Sequence, residues 1–232
     1  MTARLCLIAA LLLPFPVQAT ERRVDLSSFD AIRVEGTFVV DMTTGPSPRG
    51  MLTGDAAALR RTEARIEGRT LILRVDRAAM APTPRGNAGP VTLSLAGPPV
   101  AAITVIGGGR VTAQALRGAT MNVAITGAGA VRIGRADGEQ FNAIMMGPGS
   151  LEIAGGRVGK ARLAVQGPAT VAAEGLETGD VTIQSDGGGE VSARARYTAT
   201  IANGGLGSVV VKGSPKCRIT MAGGGLIQCG VK

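Results

Sequence analysis

Few residues in this chain carry side chains that could do chemistry. Its 232 residues include no histidine and no tryptophan, one tyrosine, and three cysteines at positions 6, 217 and 229. Carboxylates are the remaining candidates, and Glu139, Glu152, Glu174, Glu177, Asp180 and Glu190 gather in the second half. A glycosidase would use two of them at a fixed separation, and a β-helical lyase would pair a base with an acidic metal-binding cluster. The six occupy unmatched positions of the repeat described below, so they read as solvated surface. Two late thiols without histidine are too few ligands for a structural zinc site. Gly107-Gly108-Gly109 is followed neither by Gly-Lys-Thr nor by a helix, so it does not fit a phosphate-binding loop. The Gly-Gly-x-Gly-x-Asp pattern of calcium-binding rolls does not occur. The expectation is a non-enzymatic protein with no catalytic, cofactor-binding or metal-ligating residue. A polysaccharide-active hydrolase or lyase is the alternative.

The elements that must position these residues are marked by a glycine beat. Gly107 with Gly109 is followed by Gly127 with Gly129, Gly147 with Gly149, and Gly167 with Ala169. Gly187 with Gly189, Gly205 with Gly207, and Gly223 with Gly225 complete the series, the step being 20 residues four times and then 18 twice. Alternate positions around each first glycine are apolar. Ile103, Val123, Ala143, Leu163, Ile183, Ile201 and Ile219 stand four residues before it, and Val111, Val131, Leu151, Val171, Val191, Val209 and Ile227 four after. The column two residues before it runs Val105, Ile125, Met145, Val165, Ser185, Asn203 and Met221, with Ser185 and Asn203 as polar departures. These two predict a polar ladder inside the core or a local shift of the turn, since buried polar groups are tolerated when paired.

Period-two alternation on both sides of the glycines means two short strands per rung, joined by a bend. The recurrence predicts in-register parallel stacking about 4.8 Å apart. The fold class is therefore all-β: a right-handed parallel β-helix or β-solenoid with about seven glycine-marked rungs in residues 101–232. Residues 20–100 read as a β-rich capping extension with one short helix over Asp55 to Ala64, N-capped by Asp55. Strands are expected at Leu71–Val75 and from Val91, and a loop over Ala79 to Pro90. Together, 20–232 form one expected domain.

Composition agrees with a thin layered core. There are 35 glycines and only four phenylalanines, so Val, Ile, Leu, Met and Ala must fill the volume that aromatics usually supply. Residues 1–19 carry Arg4, an apolar run from Leu5 to Leu13, a Pro14-Phe15-Pro16 break and Val17-Gln18-Ala19, the pattern of a cleaved export signal. A membrane anchor is the competing reading, although the run is short of the ~20 residues of a spanning helix. Removing the segment takes the formal charge from +8 to +7. The arginines are scattered and aromatics scarce, which argues against specific nucleic-acid binding. Export predicts a disulfide between Cys217 and Cys229, each six residues from Gly223 on opposite arms of one bend.

The chain resembles the head GIN family, auto-transporter adhesin head domains, from about Val24 to Lys232. The resemblance rests on Phe29-Asp30-Ala31-Ile32-Arg33-Val34-Glu35-Gly36, Thr53-Gly54-Asp55, Arg69-Thr70-Leu71-Ile72-Leu73, Ile125-Thr126-Gly127-Ala128-Gly129 and Lys212-Gly213-Ser214-Pro215. Many rungs of that family read Ser-Gly-Ser-Gly-Asp. Here the acidic residue is mostly missing, with only Glu190 close. The resemblance implies a β-helical fold and an envelope or surface location. The expected function is an exported adhesin-like or envelope-binding module in the periplasm, in the cell envelope or secreted. Its expected partners are a glycan, an envelope polymer or a protein surface, with no transmembrane span. Homo-oligomerisation or self-assembly through open solenoid ends is the further expectation.

Overall fold

The computed structural model describes residues 20–76 and 89–231. The export-signal segment and most of the expected 79–90 loop lie outside the described residues. In chain order the strands are β1 (Thr20–Val24), β2 (Ala31–Glu35), β3 (Val39–Thr44) and β4 (Arg49–Gly54), then helix α1 (Ala56–Arg60), then β5 (Thr62–Glu67), β6 (Thr70–Val75) and β7 (Thr92–Gly97). The regular half follows with β8 (Ala102–Ile106), β9 (Arg110–Thr126), β10 (Ala130–Met146), β11 (Ser150–Ile153), β12 (Gly156–Gln166) and β13 (Thr170–Asp186). It ends with β14 (Glu190–Asn203), β15 (Ser208–Gly213), β16 (Lys216–Met221) and β17 (Leu226–Val231). All belong to one sheet wound on itself. The seven glycine bends enclose a solenoid of about 6 turns.

The alternation seen in the sequence becomes the core. Leu71, Ile32, Ile103, Val123, Ala143, Leu163, Ile183 and Ile201 stack in that spatial order, paired in register and all buried. The order is not that of the chain. Strand β2 lies between β6 and β8, and β3 between β7 and β9, all parallel. The chain thus lays down its second rung first, returns to make the first, and then passes over to the third. Gly36, at φ +124°, sits under Gly107 and begins the glycine column one rung before the regular beat.

Antiparallel strands close the N-terminal end. β5 pairs with β6, β4 with β7, and β1 with β4. Helix α1 packs its buried Leu59 there, and the Asp55 carboxylate accepts from the Ala57 and Ala58 N–H groups at 2.8 and 3.1 Å. The helix stops at Arg60, short of the expected Ala64. From Thr62 the alternation of Thr62, Ala64 and Ile66 is taken up by pairing with β6, and the ladder overrides local helix propensity.

At the bends, Gly107, Gly127, Gly147 and Gly167 adopt φ between +100 and +108°, the region L-residues avoid. Gly109, Gly129, Gly149, Gly187, Gly189, Gly205, Gly207, Gly223 and Gly225 lie in the same stack of bends without positive φ. What Gly189 requires is space, because a Cβ there would stand 2.1 Å from the Ala169 carbonyl oxygen. From Gly187 onward the bend changes form, and it changes where the polar pair is buried. Asn203 is 1% exposed; its amide donates to the Gly207 carbonyl at 3.0 Å and its oxygen accepts from the Gly205 N–H at 3.2 Å. Ser185, one rung below in register, is fully buried with no partner for its hydroxyl among the described residues. The two-residue shortening occurs at the opposite corner. Ala173 pairs with Ala193, but Asp180 with Thr198, and the small Ala195 fills a corner that Leu116 and Leu176 fill in wider rungs.

Cys217 and Cys229 are disulfide-bonded across the last bend, Cα to Cα 6.4 Å. Two expectations follow for equilibrium unfolding. Ser185→Ala should raise stability by about 1 kcal/mol and Asn203→Ala should lower it by about 1–3 kcal/mol, since the first removes a buried hydroxyl without a partner among the described residues and the second strips the Gly205 N–H of its acceptor, the Gly207 carbonyl keeping the Leu226 N–H. Reduction should destabilise the terminal rung by at most about 3 kcal/mol. The loss should appear as faster hydrogen exchange confined to β16 and β17.

A candidate binding face

Outward residues of successive rungs form columns as regular as those of the core, because the same register aligns both. On the arm after each bend, Arg110, Ala130, Ser150 and Thr170 make one column and Thr112, Arg132, Glu152 and Ala172 the next. Between them runs a shallow groove of about 240 Å³. Alanines at 130 and 172 keep it open, the Thr112, Ser150 and Thr170 hydroxyls line it, and charges stand along it. Arg132 meets Glu152 one rung on, Nη2 to Oε2 2.7 Å and Nε to Oε2 2.9 Å. Their side chains are 65% and 46% exposed, so this pair adds little stability and can exchange partners with a ligand. Arg110 makes no ion pair among the described residues.

Another column, at the far corner, has its acids committed to nearby arginines. Arg117, Asp137, Arg157 and Glu177 follow one another in register with alternating sign. Arg157 bonds Glu177 at 2.9 Å, and its backbone N–H donates to Asp137 at 3.2 Å. The guanidinium of Arg135, bonded to Asp137 at 2.6 Å, holds that carboxyl below the usual carboxylate range. Lys212 does the same for Glu174 through a direct hydrogen bond. Asp180 accepts from the Thr198 hydroxyl at 2.6 Å, and Asn142 donates to Asn122 at 3.0 Å in an amide step.

Of the carboxylates the sequence singled out, Glu152, Glu177 and Asp180 are therefore each tied to a cation or hydroxyl on a neighbouring rung and Glu174 to Lys212 two rungs on, while Glu190 stands in the groove's own column beyond Thr170. A general acid of a glycosidase needs its pKa raised. The shift at Glu174 runs the other way. No group of three His, Cys, Asp or Glu among the described residues could hold a metal. No helix among them is long and apolar enough to cross a membrane. The sequence reading does not include the groove, whose signal is the run of small residues at 130, 150 and 170 beside the column of Thr112, Arg132 and Glu152.

A family model described as "Putative auto-transporter adhesin, head GIN domain" matches residues 28–215. Among solved structures, a "putative adhesin" from Bacteroides fragilis NCTC 9343 superposes with TM-score 0.83 at 21% identity, covering 91% of this chain and 96% of that one. Another so described, from Parabacteroides merdae ATCC 43184, gives 0.71 at 14% identity, covering 94% and 98%. A "putative lipid binding protein" from Parabacteroides distasonis ATCC 8503 gives 0.62 at 16%, covering 92% and 97%. At these identities the likeness is one of fold. No curated protein matches this chain in sequence.

Because Asp137 and Glu174 have lowered folded pKa values, their contribution is complete above the ordinary carboxylate range and is lost as pH falls through the folded values. Thermal unfolding followed against pH should show the midpoint dropping below about pH 4.5. Glu174→Gln should flatten that drop without changing its direction.

Proposed function

The chain belongs to the head GIN domain family, and from that premise we propose that it is an exported, non-catalytic, adhesin-like module that holds a glycan or related envelope polymer in its outer groove. Residues 1–19 direct export, and residues 20–232 act as one unit in the periplasm, in the cell envelope or beyond it. The observation that carries this reading is the groove itself. It offers a guanidinium at Arg110 that makes no ion pair among the described residues, an exchangeable Arg132–Glu152 pair and a row of hydroxyls, all on one sheet face.

Those groups suit a polymer rich in hydroxyls and carrying carboxylate or sulfate. Guanidinium binds such oxyanions through paired hydrogen bonds, and serine and threonine both donate and accept. Successive rungs repeat about every 4.8 Å, so an extended chain lying across several rungs can meet equivalent contacts more than once. The net positive charge of the protein favours an acidic ligand over a neutral one. Non-catalytic action is supported by the way Glu152, Glu174, Glu177 and Asp180 are committed to cross-rung bonds.

A glycan array read together with a polysaccharide turnover assay tests the proposal. Binding to acidic glycans without turnover is expected. Arg110→Ala and Arg132→Ala should each weaken it about tenfold, the size of one lost charge-assisted contact. Turnover abolished by substituting a single carboxylate would establish the enzymatic alternative instead, and binding indifferent to both arginine changes would remove the groove from consideration.

A further inference from the structure

The two ends of the solenoid are finished differently. At the N-terminal end the outermost strands are antiparallel and charged: β1 carries Glu21, Arg22 and Arg23, and β5 carries Glu63, Arg65 and Glu67. Charged residues on an edge strand discourage pairing with another chain. At the C-terminal end, β16 pairs only with β14 and β17 only with β15, so each leaves an edge of backbone N–H and C=O groups unpaired among the described residues. Leu226–Val231 contains no charge at all.

Apolar side chains collect at that end. Ile219 and Met221, which continue columns buried in every earlier rung, are 46% and 55% exposed, beside the half-buried Ile227 and Cys229. The rim changes character as well. Leu226, at 58% exposure, stands in a column that reads Arg110, Ala130, Ser150, Thr170, Glu190 and Ser208 before it. Leu206, at 80%, occupies a bend position held by threonine in the Gly36 rung and by glycine, alanine or proline in the rungs between. These four side chains leave bare on the order of a few hundred Å² of apolar surface, the size of the largest patch a typical monomer shows and one that is often functional. With the two strand edges the end approaches the roughly 800 Å² per partner that a stable interface buries.

We infer that two copies of this chain associate C-terminal end to C-terminal end, about a two-fold axis through the bend at Gly223. Such an axis lays β16 of one copy antiparallel to β17 of the other. Cys217 and Cys229 are equally far from Gly223, so the arms coincide in register. Ile219 then meets Ile227 of the partner subunit, and Arg218 lies opposite Gln228 of the partner subunit. The cations of the last rung, Lys216 and Arg218, lie on β16 and therefore face the uncharged strand, with no like charges opposed. Both copies complete their ladders and bury the terminal core layer. A two-fold contact of this kind closes after two copies, because the capped N-terminal ends point outward. The dimer does not depend on any ligand in the groove.

Sedimentation velocity on the full chain, expressed through its own N-terminal segment, across a micromolar concentration series tests the dimer. A reversible monomer–dimer equilibrium is expected, and Leu206→Lys combined with Leu226→Lys should raise its dissociation constant at least about tenfold while the far-ultraviolet spectrum stays unchanged. In a second measurement, Arg218→Cys mixed with Gln228→Cys should form an intermolecular disulfide that neither variant forms alone. A wild-type chain that stays monomeric, a dimer unaffected by the two lysines, open-ended polymers, or self-linking by either cysteine variant would each overturn the inference.

Discussion

Each rung of this protein can bury its apolar residues only against the rungs above and below it, and the closeness of that approach governs the rest of the structure. At the bends the backbones nearly touch: a Cβ built on Gly127 would stand 2.9 Å from the Gly107 carbonyl oxygen, and one on Gly205 would stand 2.1 Å from that of Gly187. Glycine there is a condition for keeping the arms in register. With register kept, Val stacks on Ile and Leu through the length of the core, and Phe29, Phe38 and Phe141 are the only buried aromatics among the described residues, far less than globular cores use. Where Asn203 enters the core, its side chain takes over hydrogen bonds at the bend, and the bend geometry changes with it.

The same register that aligns the core aligns the surface, and this is how the fold produces a candidate site without any dedicated loop. A side chain placed outward on one rung has a partner at the same position on the next. Along the Arg117–Asp137–Arg157–Glu177 column, Arg157 pairs with Glu177 and Asp137 is held by the adjacent Arg135, so the acids of that corner are already committed. The Arg110 and Thr112 columns differ because small residues interrupt them, leaving depth, hydroxyls and, at Arg110, a guanidinium with no ion pair among the described residues. Function in such a scaffold is a matter of which columns fail to pair with themselves.

Much of this was legible in the sequence because the governing interactions are local and periodic. Alternation at Val123, Ile125, Val131 and Ile133 determines which side of the strand faces in, and a glycine pair every 18 or 20 residues determines where the strand turns. The cysteine pair could be placed from its symmetry about Gly223. The helix was overextended because Thr62 to Ile66 has no local reason to leave a helix; its reason is β6, which lies across the sheet. The groove was missed because its walls come from four rungs, each unremarkable alone.

What the sequence by itself determined is the rung: its two arms, its bend, its inward and outward faces, and the disulfide that staples the last one. What only the tertiary structure decided is the order in which rungs stack, with β2 between β6 and β8, and the contrast between a charged, antiparallel cap at one end and a bare apolar edge at the other. The physical reason is range. Alternation and turn preference act over a few residues and leave a mark at every repeat. Strand order and exposed ends arise from contacts between segments distant in the chain, and the repeat looks the same whether its neighbour is a cap, another rung or open solvent.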